Sequence, residues 1–118
     1  MTRHHESVSA TLHEGRLVQI HVTRLERGVD VGGKLWLSLD AAPWVIEAVS
    51  KCIEDLTSSE TTIGPDSLRV KEKGHELDPQ VGVGNVRTGP VPHAGRYFVV
   101  MRVAPARTLI EQLRALID

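Results

Sequence analysis

The stretch Leu35-Trp-Leu-Ser-Leu-Asp-Ala-Ala-Pro-Trp-Val-Ile-Glu47 decides the fold. Leu35, Leu37 and Leu39 alternate with Trp36 and Ser38, the two-residue period of a strand with one buried face. Asp40 stands where a helix N-cap belongs, and Pro43 falls in the first turn, where its missing N–H costs no intrahelical bond. Val45, Val49, Cys52 and Leu56, joined by Ile46 and Ile53, then form an apolar stripe at helical spacing. A strand thus runs almost directly into an amphipathic helix. The same order recurs in Val99-Val-Met-Arg-Val-Ala-Pro-Ala-Arg-Thr-Leu-Ile-Glu111. Val99, Met101 and Val103 take the places of the three leucines, and Leu109, Ile110 and Leu113 those of Val45, Ile46 and Val49. Inward and outward assignments agree at every matched strand position, and a slip of one residue would reverse them all.

Outward from these junctions, alternation predicts strands over residues 7–13, with Val8, Ala10 and Leu12 inward, and over residues 16–26, with Val18, Ile20 and Val22 inward. In the second half it predicts strands over residues 67–77, 80–87 and 97–103, the second of them weakened by Gly82 and Gly84. Pro105 opens the second helix at a favoured position. Residues 57–66 are polar and contain Gly64-Pro65, which reads as a linker. The expected architecture is a single α+β domain over residues 1–118, with strand-strand-strand-helix repeats at about 7–56 and 67–118. The strands form twisted antiparallel sheet, and both helices pack on its apolar face, the side carrying Leu37 and Met101.

A chain of 118 residues buries roughly two-thirds of its unfolded surface, enough to fold without staples. The single cysteine, Cys52, permits no internal disulfide, and its place on the helical stripe predicts a buried, inert thiol. No apolar run is long enough to span a membrane, and the opening Met1-Thr-Arg-His-His-Glu6 leads into alternation rather than a signal-peptide core. A cytoplasmic protein is expected. Net charge is −1, so any anionic partner requires positive charge gathered on one surface.

The outward strand positions supply such a surface. They carry Lys34, Arg69, Lys71, Lys73, Arg96 and Arg102 together with Trp36 and Phe98, and no Asp or Glu. Cations neutralise phosphates and release counterions, and exposed rings offer faces on which bases stack. These residues predict a surface for single-stranded DNA or RNA. The same face, through Phe98 and Val100, also suits a protein-interaction module such as an inhibitor, immunity or assembly factor, or a homodimer contact.

The two strand-to-helix junctions quoted above resemble those of the PUR-repeat and Whirly group of single-strand nucleic-acid-binding proteins, in which a strand passes through a short Ala- or Pro-containing junction into an amphipathic helix. The resemblance covers most of the chain in layout and is specific at the junctions. It implies a twisted antiparallel sheet, two interleaved repeats, dimerisation and binding across the sheet face. Aromatic residues are 3% of this chain, fewer than such proteins carry on their strands.

Other constellations carry less. Gly82-Val-Gly84 with Gly89 is a fragment of a phosphate-binding loop without the helix that must follow it. His4, His5, His13, His21, His75 and His93 are scattered, with no metal-ligand spacing on a helix. His13 and His21 are expected as cross-strand neighbours, and His4 and His5 in a disordered tail. No catalytic spacing emerges, so neither an enzyme nor a cofactor is expected.

Overall fold

The computed structural model describes residues 5–118, with side chains from residue 6. His4 and the side chain of His5 lie outside the described residues. The first half contains β1 (His5–His13), β2 (Leu17–Glu26), the two-residue β3 (Val29–Asp30), β4 (Gly33–Ser38), a 3-10 turn (Leu39–Ala41) and α1 (Ala42–Asp55). The second contains β5 (Ser59–Ile63), β6 (Asp66–Glu72), β7 (Gln80–Arg87), β8 (Gly95–Arg102) and α2 (Val103–Ile117). The fold is α+β with two antiparallel sheets. β2 pairs with β1 on one side and with β3 and then β4 on the other, and β5-β6-β7-β8 form a meander.

Alternation places the core side of β2, β4, β6 and β8 as expected, whereas Leu12 of β1, expected inward, is 49% exposed. Val18, Ile20 and Val22 of β2, Leu35 and Leu37 of β4, Leu68 and Val70 of β6, and Val99 and Met101 of β8 are buried in one cluster with Val45, Val49, Leu109 and Leu113 of the helices. Both helices pack on the second sheet, and α2 reaches the first sheet as well. α1 lies against β6 and β7, whereas α2 lies against β1, β7 and β8, and the two helices pack on each other. Helix α1 therefore covers strands of the other half, and α2 covers strands of both.

Three local expectations change. Residues 59–63 are not linker but the edge strand β5, joined to β6 through Gly64-Pro65 with Ile63 opposite Asp66. Its outward side faces water and carries Glu60 and Thr62, so polarity there marked an edge and not a loop. Asp40 does not cap α1, since it lies in the 3-10 turn and its carboxylate meets Arg16 at 3.1 Å. Between Gly28 and Gly32, where a turn is expected, residues 29–30 form the short strand β3 ahead of β4, and the Gly32 backbone comes so close to the Val22 carbonyl that no Cβ would fit.

β4 pairs with β2 on one edge only, and its other edge is buried against the second sheet. A buried peptide group needs a partner. Asp66 of β6 supplies one, its Oδ2 accepting from the Ser38 amide at 2.9 Å. Asn85 of β7 supplies another, donating from Nδ2 to the Trp36 carbonyl at 2.6 Å and to Asp66 Oδ1 at 2.9 Å. Arg87 completes the cluster, its Nη1 donating to Asp66 Oδ1 at 3.2 Å and to Ser38 Oγ at 3.3 Å. The exposed edge of β1 is treated in the same way. Gln112 of α2 accepts from the Ala10 amide at 2.6 Å and donates to the Val8 carbonyl at 3.3 Å, standing in for a neighbouring peptide.

Removing one member of a buried ion pair leaves its partner uncompensated, at a cost of about 3–5 kcal/mol. Asp66→Ala should destabilise by about that amount in urea unfolding, against roughly 1 kcal/mol for Gln112→Ala at the half-exposed edge. Equal costs for the two variants would show that the Asp66 cluster does not join the sheets.

Candidate functional site

The outward face of the second sheet is set by its register. Arg69, Gly84 and Phe98 lie in one row across β6, β7 and β8, and Lys71, Gly82 and Val100 lie in the next. Ser67, Val86 and Arg96 form a third row. Beyond β6, Lys73 continues the ladder by donating its amide to the Gln80 carbonyl. These rows floor an open groove of about 720 Å³ lined by Arg69, Lys71, Lys73, Arg96 and Phe98.

The glycines that weaken β7 as a strand shape this groove. A Cβ on Gly82 would stand 2.8 Å from Phe98 Cζ and from Lys73 Cγ, and one on Gly84 would stand 3.0 Å from Phe98 Cδ2. The Phe98 ring therefore lies over two residues without side chains, and it remains 47% exposed. The Lys73 ammonium approaches the ring to 5.3 Å from its centroid, within cation–π range. Gly82-Val-Gly84 is thus a seat for a ring within a strand and not a phosphate-binding loop.

The predicted site residues do not all meet on this face. Arg69, Lys71, Lys73, Arg96 and Phe98 line the groove together. Lys34 and Trp36 stand on β4 in the first sheet, opposite His21 and Gln19. Trp36 is covered by other rings: His93 stacks on it with centroids 3.9 Å apart and planes 15° apart, and His13 meets it edge-on at 5.0 Å. Arg102 is neutralised, as its Nε and Nη2 grip Asp78 at 3.0 and 3.3 Å and its Nη1 reaches Glu6 at 3.0 Å. Nor is the face free of acid, because Glu60 of β5 meets Arg69 at 3.4 Å with both side chains largely exposed. An exposed pair of this kind is weak and leaves Arg69 able to change partners. Taking residues 59–63 for linker hid Glu60. The alternation Ser59, Thr61, Ile63 against Glu60, Thr62 was the signal for it.

Other candidates also fall into place. His13 pairs with Leu17 and His21 with Ser9, so these histidines are not cross-strand neighbours. Burial pushes the Cys52 thiol above its usual range, and the Glu72 carboxylate adds to the rise. Such a thiol is a poor nucleophile. Hydrogen bonds from Arg102 hold the Asp78 carboxyl below the usual carboxylate range, and the same contacts raise Arg102. No family model matches the chain, and no curated protein matches its sequence.

Two outcomes check this geometry. In Gly82→Ala the new methyl must lift the Phe98 ring, so the ring-current shifts of the Gly84 α-protons should collapse while the circular dichroism spectrum is kept. Shifts confined to the neighbours of residue 82 would contradict the seat. Asp78, with a lowered folded pKa, contributes stability that is complete above the ordinary carboxylate range and lost as pH falls through the folded value. A carbon-detected titration should place Asp78 below the ordinary carboxylate range, and Arg102→Gln should raise it.

Proposed function

We propose that this chain binds single-stranded DNA or RNA across the outward face of its second sheet. The carrying observation is the half-exposed Phe98 ring, laid over Gly82 and Gly84, with the Lys73 ammonium over it and Arg69, Lys71 and Arg96 in the same groove. A flat aromatic surface takes an unpaired base in any sequence, and cations spaced along the adjoining strands suit its phosphates. The open sheet admits an extended strand, and no helix or loop need move aside. The resemblance of the strand-to-helix junctions to PUR and Whirly proteins points the same way. Trp36, Lys34 and Arg102 are not part of the interface in this reading, because they stand on the other sheet or are held by carboxylates.

A second reading rests on Val31 and Val100, which continue the apolar surface from Phe98 into an adjoining hollow. Val31 is half exposed, and such a patch suits a protein partner or a second copy of the chain.

Fluorescence anisotropy with labelled single-stranded oligonucleotides separates the two. Engagement of four cations gives a slope of about −3 in log K against log salt. Phe98→Ala should weaken binding by about 1–3 kcal/mol, roughly 5- to 150-fold, while Phe98→Tyr and Trp36→Phe retain it. No binding at low salt, together with salt-insensitive self-association in sedimentation, would replace the nucleic-acid reading with the protein one.

A further inference from the structure

A second cavity, of about 660 Å³, opens between the β1–β2 turn and the β7–β8 loop. It is lined by His13, Leu17, Arg87, Val91 and His93, with Glu14 contributing a carboxylate. None of these residues lines the groove described above. Arg87 is 8% exposed and is locked in place through Nη1 by Asp66 and Ser38. Its buried Nε has no hydrogen-bond partner among the described residues. Nε is enclosed, so what Arg87 brings to the cavity is the positive charge of a firmly held guanidinium.

The two imidazoles are fixed as well. His93 adopts a left-handed backbone conformation (φ 66°), and the Tyr97 hydroxyl donates to its carbonyl at 2.7 Å and toward that of Ala94 at 3.4 Å. Stacking on Trp36 fixes the plane of the His93 ring, and His13 stands edge-on to the same indole. Leu17, Val91 and Pro92 give the cavity apolar wall. A few convergent polar donors within an apolar lining are the usual composition of a small-molecule site.

We propose that this cavity binds a small organic anion. Its phosphate or carboxylate oxygens meet Arg87, His13 and His93, and its apolar body lies on Leu17 and Val91. The site does not depend on the nucleic-acid reading. A ligand here touches both rings that flank Trp36, so occupancy is reported by that indole.

The test uses the full chain carrying Trp44→Phe, which leaves Trp36 as the only tryptophan. Phenyl phosphate and benzoate distinguish the two oxyanions, and benzyl alcohol is the uncharged counterpart. At least one anion should change Trp36 emission saturably with Kd below about 1 mM, and benzyl alcohol should bind at least about tenfold more weakly. Amide shift perturbations should centre on Leu17 and Val91, weaken about tenfold in affinity in His13→Gln/His93→Gln, and persist in Lys71→Ala/Lys73→Ala. Equal binding of benzyl alcohol, lack of saturation by about 10 mM anion, insensitivity to the histidine substitutions, or perturbations centred on the Arg69 groove would each overturn the proposal.

Discussion

The structure depends on how the free edge of β4 is satisfied. That strand carries Leu35 and Leu37 into the centre of the core, yet it pairs with β2 on one side only. Its other side would bury unpaired peptide groups. Asp66 and Asn85 take the Ser38 amide and the Trp36 carbonyl, and Arg87 neutralises the carboxylate that this arrangement needs. The two sheets are therefore joined by polar groups that fit in one register only, within a core that is otherwise aliphatic. Apolar contacts tolerate sliding, whereas these bonds do not.

The same junction separates the surfaces. Because β4 is held edge-on to the second sheet, its outward residues Lys34 and Trp36 do not continue the face made by β6, β7 and β8. The Trp36 indole is directed instead toward the β7–β8 loop, where His93 covers it. The molecule thus presents a groove based on Phe98 and a separate cavity beside the rings that flank Trp36. Arg87 belongs to both the junction and the cavity, so the polar cluster that unites the halves also places a rigid cation in the cavity lining.

Gly82 and Gly84 show how one feature can lower strand propensity and still serve the surface. Side chains there would improve β7 as a strand and would occupy the space beneath the Phe98 ring. The ring in turn covers backbone that the glycines would leave open to water. Charge is handled just as locally: Arg102 is tied to Asp78 and Glu6, while Lys71 and Lys73 remain in the groove.

By itself the chain's pattern determined the α+β class, the strand-to-helix junctions, the core side of β2, β4, β6 and β8, and the clustering of Arg69, Lys71, Lys73, Arg96 and Phe98. Each follows from periodicity within a strand or helix, or between strands that are close in sequence. Only the tertiary structure decided that α1 covers strands of the other half, that Arg102 is neutralised and that Trp36 lies beneath His93. Those outcomes join residues far apart in the chain. Alternation reports which side of a strand is apolar, but carries no information about which distant strand, loop or charge will face it.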